Sequence, residues 1–103
     1  MLGAAATFSA VLTITLFPQG TDGPKREWVV RCPGATACAK LEDGGRTLFQ
    51  PTPRGILCTD IYGGPQVAYV KGTLNGRQVW ARFSRSDGCQ IARWSRISFL
   101  LRR

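Results

Sequence analysis

Histidine is absent from the 103 residues, and acidic side chains are scarce, with six Asp and Glu against fourteen Lys and Arg. Without an imidazole, a Ser-His-Asp or Cys-His mechanism has no base. Six carboxylates scattered over a basic chain offer no recognisable acid-base pair for glycoside chemistry either, so an enzymatic role is not expected. The gaps between Cys32, Cys38, Cys58 and Cys89 are 6, 20 and 31 residues, with no CxxC pair. That spacing argues against a zinc site, and no metal or other cofactor is expected. Nor does any stretch reach the roughly 20 uninterrupted apolar residues of a membrane helix, so no membrane partner is expected.

What the chain does contain is enough apolar material, 44% of residues, to build one modest core. At this length a single domain spanning 1–103 is expected. An even number of cysteines in a short chain reads as two disulfides and an oxidising compartment, hence a secreted, extracellular protein. Four cysteines permit three pairings, and the sequence alone does not choose among them. The sequential one, Cys32 with Cys38 and Cys58 with Cys89, is the expectation. The opening Met1 to Thr7 is small and apolar but lacks a positive n-region. It reads as the remainder left after a signal has been removed, not as a signal peptide.

Leu12, Ile14 and Leu16 alternate with Thr13 and Thr15, the period-two pattern of a half-buried strand. Pro18 to Pro24 breaks it, and Glu27 to Cys32 reads as the antiparallel return. Thr36 is placed to cap a short helix over Ala37–Asp43 that Gly44-Gly45 would stop. Arg46 to Gly64 shows no steady period and reads as a long ordered loop, a feature usually functional in a small domain. Gln66–Gly72 and Arg77–Phe83 alternate around Asn75-Gly76, a strong hairpin signal. Asp87 is placed to cap a second short helix through Cys89 and Ile91, and Arg96–Leu100 would be a last strand. These elements predict an α+β domain: an antiparallel β-sheet of about five strands with two short helices and two disulfides.

The segment Leu57-Cys58-Thr59-Asp60-Ile61-Tyr62 is bracketed by prolines and glycines. A disulfide at the edge of such a loop removes freedom that binding would otherwise have to remove. Val11 to Thr15, Cys38-Ala39-Lys40-Leu41, Val70-Lys71-Gly72 with Asn75-Gly76-Arg77, and Cys58 to Tyr62 together resemble the Streptomyces subtilisin inhibitor family over nearly the whole chain. The resemblance implies a secreted, substrate-like inhibitor of serine proteases. Its targets would be subtilisin-like or acidic-residue-specific proteases, and Asp60-Ile61 would be the reactive bond. By the same match the protease-contact loop is Leu57, Cys58, Thr59, Asp60, Ile61 and Tyr62, the cysteines pair sequentially, and the sheet face stacks on a second copy as a homodimer that includes Trp80. The chain departs from the family pattern in a shorter Cys32–Cys38 segment, in Gly63-Gly64-Pro65 after Tyr62, and in having Asp at the primary contact position.

The rival expectation starts from the net charge of +8. A cationic, Arg-rich protein could bind nucleic acid or another anionic surface, with Trp28, Trp80 and Trp94 as stacking platforms beside Arg31, Arg82 and Arg93. The arginines are scattered, however, apart from the tail Arg93, Arg96, Arg102 and Arg103. One Trp per separate element makes no stripe. A solvated basic surface is the preferred reading, and no nucleic-acid partner is expected.

Overall fold

The computed structural model describes residues 7–102, so the reading of Met1 to Ala6 as a leader remainder lies outside the described residues, as does Arg103. Strands β1 (Ala10–Phe17) and β2 (Arg26–Cys32) pair antiparallel, with Ile14 opposite Trp28 and Leu12 opposite Val30. Strands β3 (Val67–Leu74) and β4 (Arg77–Ser84) form the hairpin, and β1 also pairs antiparallel with β3. The sheet order is β2-β1-β3-β4. Asn75 and Gly76 both take positive φ, 50° and 86°. Those angles make the two-residue turn whose twist matches the flanking strands, which is why Asn-Gly is favoured there.

One face of the sheet is buried through Leu12, Ile14, Val70, Ala81 and Phe83, the alternate positions of their strands. Against that face pack helix α1 (Cys38–Gly44), a 3-10 turn over Gly45–Phe49 and helix α2 (Gly88–Ile97), supplying Leu41, Phe49 and Ile97. Phe49 meets Phe83 edge-on at 6.4 Å between ring centres, the geometry that aromatic quadrupoles favour. The α+β class and both disulfides are as the sequence predicts: Cys32 to Cys38 and Cys58 to Cys89. The bridge to Cys38 fixes the first residue of α1 to the end of β2.

Three elements differ from expectation. The long loop expected from Arg46 begins only at Gln50, because Gly45–Phe49 forms a 3-10 turn that buries Leu48 and Phe49. Among the described residues the sheet has four strands, not five, because Arg96–Leu100 is not a strand: α2 runs on to Ile97 and a 3-10 turn takes Ser98–Leu100. The buried positions here are Arg93, Ile97 and Leu100. That spacing of four and three is helical, not alternating. Thr36 does not cap α1. Cys38 N donates to Ala35 O at 3.2 Å, so the chain enters the helix through a turn containing Thr36, and Ala37 occupies the cap position with no side-chain bond. Asp87, by contrast, caps α2 as expected, its carboxylate accepting from Gln90 N at 2.9 Å.

Gly72 sits in β3 opposite Leu12, with φ at 155°, and a Cβ there would overlap the Val11 carbonyl oxygen. Gly72→Ala is therefore expected to destabilise the domain by more than about 1 kcal/mol. Leu12→Ala, which opens a cavity in the centre of the core, should cost about 2–5 kcal/mol. Denaturant midpoints of the two variants check both values. A Gly72→Ala midpoint at or above wild type would show that the strands separate without cost.

Candidate functional site

Between the 3-10 turn and β3 the chain runs through Gln50–Gln66 with no regular ladder. Leu57 is 97% exposed and Tyr62 68%, and Ile56, Asp60 and Ile61 are exposed with them. Four large apolar side chains in one short stretch of surface make this segment the candidate site, since single exposed apolar residues are ordinary and clusters are not.

The stretch is open to solvent yet held at several points. At its start, Arg93 Nε donates to Gln50 O at 3.0 Å. Arg93 Nη1 donates to Arg82 O and to Gln90 Oε1, each at 3.0 Å, and the guanidinium lies 4.6 Å from the Phe83 ring centre. Arg93 is only 8% exposed. Burial, reinforced by the nearby Arg96, pulls its pKa below the usual value, but a guanidinium stays charged in proteins. The tail is thus not uniformly a solvated basic surface: Arg93 ties Gln50 of the loop, β4 and α2 together, while Arg102 is exposed.

Around Asp60-Ile61 the supports come closer together. Cys58 is bridged to Cys89 in the first turn of α2, with 5.2 Å between their Cα atoms. Gly88 N donates to Thr59 O at 3.0 Å. A Cβ on Gly88 would overlap Thr59 Oγ1, so any larger residue there would displace the Thr59 side chain where the loop lies against the helix. On the far side Gly63 N donates to Arg85 O at 2.7 Å, and Arg85 Nε donates back to Gly63 O at 3.1 Å. The Arg85 guanidinium rests 5.9 Å from the centre of the Trp94 ring. A Cβ on Gly63 would press on Ile91 and on Arg85 Cβ, at 2.9 and 3.1 Å.

All six residues expected from the sequence, Leu57, Cys58, Thr59, Asp60, Ile61 and Tyr62, therefore share one segment, with Asp60, Ile61 and Tyr62 spanning the gap between two fixed points. The sequence did not mark the residues that fix it, Arg85, Gly88, Ile91 and Trp94, as supports of this loop. The signal that could have found them was Cys89, since a bridge from Cys58 brings the neighbours of Cys89 to the loop. Among the described residues, the group of potential metal ligands that lies close together is Cys58, Asp87 and Cys89. Both of its sulfurs are consumed in the bridge, which leaves no thiolate to bind an ion. Among the described residues no helix is long and apolar enough to cross a membrane.

No family model matches the chain, and no curated protein or solved structure matches it.

The two bridges are expected to differ in weight. By chain entropy, closing the 31-residue separation of Cys58 and Cys89 is worth about 3.7 kcal/mol, and the 6-residue separation of Cys32 and Cys38 about 2.2 kcal/mol. The Cys58→Ser/Cys89→Ser double variant should accordingly melt lower than Cys32→Ser/Cys38→Ser. It should also make the backbone at residues 57–62 sensitive to limited proteolysis. Equal melting and equal protection in the two variants would show that the second bridge does not order the loop.

Proposed function

We propose that the chain is a secreted, substrate-like inhibitor of serine proteases related to the Streptomyces subtilisin inhibitor family, and that it offers the Asp60-Ile61 bond to its target. The observation that carries this reading is the exposed Leu57–Tyr62 segment, held on one side of that bond by Cys58–Cys89 and Gly88 and on the other by Arg85.

A protease binds an extended substrate through main-chain hydrogen bonds and reads side chains through pockets. A segment without internal ladder bonds leaves main-chain groups free for that pairing, apart from the Thr59 carbonyl, which accepts from Gly88 N. Because the segment is already ordered, binding loses little conformational entropy. In this arrangement Asp60 enters the primary pocket, Thr59 and Leu57 occupy the subsites before it, and Ile61 and Tyr62 contact the leaving-group side. Ile61, branched at Cβ, has a stiff side chain that limits rearrangement beside the scissile bond. A second copy of the chain is proposed to cover the outer sheet face, where Trp80 is 66% exposed and lies 6.2 Å from Tyr69 between ring centres. The rival nucleic-acid reading has less support: Arg93 is committed to internal acceptors, Trp94 lies under Arg85, and Trp28 packs against the core.

The nature of the target turns on Asp60. Placing a carboxylate in a dry apolar pocket costs several kcal/mol unless it is paired or left wet. The target is therefore either an acidic-residue-specific protease with a basic or polar pocket, or a subtilisin-like protease whose pocket stays open to water. For a subtilisin-like target, Asp60→Leu should tighten inhibition about tenfold or more, at roughly 1.4 kcal/mol per tenfold. Asp60→Lys should create inhibition of trypsin-like enzymes. For an acidic-residue-specific target both changes should weaken inhibition by a similar factor. Inhibition constants over a small protease panel decide between them, and a panel on which no Asp60 substitution alters any constant would remove Asp60 from the primary contact.

A further inference from the structure

A substrate-like inhibitor has to survive its own cleavage. In the reaction the protease serine oxygen would add to the Asp60 carbonyl carbon, the C–N bond to Ile61 would break, and the Ile61 nitrogen would leave as an amine carrying the proton taken from the serine hydroxyl. Two fates then compete at the Asp60 ester. If the Ile61 amine returns, it expels the serine oxygen and restores the peptide. If water arrives first, Asp60 gains a free carboxylate and the enzyme is released. Holding the amine close acts as a high effective concentration in favour of the first fate.

How far the amine can drift is set by the nearest fixed point on its side. That point is Gly63, two residues on, and two residues of chain reach at most about 7 Å. On the other side the ester is one residue from Thr59, whose carbonyl is held by Gly88 N, and two from the Cys58–Cys89 bridge. The bridge joins the two pieces covalently, but it meets the loop on the Asp60 side of the break. On the Ile61 side the nearest fixed point is the pair of bonds between Gly63 and Arg85, one through the Arg85 carbonyl and one through its Nε, with the guanidinium against Trp94. The residue between Ile61 and Gly63, Tyr62, is largely exposed and offers no such anchor. Next along the chain, Gly64 has φ of 129°. Beyond Gly63 the chain thus passes through a conformation that favours glycine.

Resting on the inhibitor reading above, we propose that Arg85 is the positioning residue of the leaving-group side: its side chain keeps the Ile61 amine within reach of the ester and so decides whether a serine protease is trapped or turns the chain over as substrate. A carbonyl bond from a charged donor is worth more than a neutral one. Losing it frees the Gly63 carbonyl and the Trp94 face together and leaves Gly63 held by its N–H bond to the Arg85 carbonyl alone.

The test compares wild type, Arg85→Ala, Arg85→Lys and, as a charge control at the exposed start of β4, Arg77→Ala. Each is incubated in excess with a catalytic amount of a protease that wild type inhibits. Recovery of protease activity is followed over hours, and the cut chain is quantified by mass. Wild type and Arg77→Ala should hold the protease. Arg85→Ala should release it, with cut chain accumulating about tenfold faster or more, and Arg85→Lys, which restores a cationic donor of similar reach, should recover much of the persistence. Amide exchange at Gly63 in the free protein gives a second readout independent of protease: faster exchange confined to residues 61–64 in Arg85→Ala supports the proposal, whereas faster exchange throughout the core overturns it in favour of a general structural role. Cut chain accumulating at the wild-type rate in Arg85→Ala overturns the role of Arg85 while leaving the inhibitor reading intact. Failure of wild type to inhibit any protease on the panel overturns both.

Discussion

The bridge between Cys58 and Cys89 joins an exposed stretch of chain to the first turn of a helix that is itself packed on the sheet. A domain of this size has a small core, and none of the large side chains between Ile56 and Tyr62 contributes to it. Left to itself such a stretch would sample many conformations, since fixing each residue costs about 1–2 kcal/mol of backbone entropy. The bridge removes part of that freedom from the unfolded chain as well. It also sets the distance between the loop and α2 at which Gly88 N can reach Thr59 O and Arg85 can close on Gly63. The capping bond of Asp87 to Gln90 N completes the arrangement by fixing the turn on which Gly88 and Cys89 sit.

Charge has two different uses in this chain. Arg93 is placed where apolar residues would be expected, stacked on Phe83 and donating to two backbone carbonyls and one side-chain amide. Its cost of burial is offset by those bonds, and removing it would leave acceptors unpaired. Arg85 is only half buried and holds a single loop carbonyl. The first organises the base on which the loop stands; the second acts on the loop itself. Neither function resembles the attraction of a polyanion that the net charge of +8 first suggests.

Much of the sheet could be read from residue patterns. The Thr alternation of β1 and the Asn75-Gly76 turn are local signals whose geometry follows from the residues themselves, and so is the Asp87 cap. The last expected strand failed because Arg96–Leu100 is only five residues, too brief for periodicity to separate helix from strand. Its true period emerges only when Arg93 is counted as a buried position, and an arginine gives no sign of burial in a sequence. Thr36 failed as a cap because the chain reaches α1 through a hydrogen-bonded turn rather than an extended cap residue. At the site, Leu57 to Tyr62 stood out through flanking Pro and Gly and through family resemblance. The supports did not, because they are pairings over distance: Arg85 to Gly63 spans 22 residues and Arg93 to Gln50 spans 43.

In the proposed inhibitor a protease engages the chain at one bond and the fold keeps the two ends together. The most direct test is to incubate the protein with a subtilisin-like and an acidic-residue-specific protease and to identify the first bond cut by mass. A single cut between Asp60 and Ile61 is expected, adding one water to the mass, with both pieces remaining joined until the Cys58–Cys89 bridge is reduced. A first cut at any other bond, or no cut and no complex with either enzyme, would contradict the inhibitor reading.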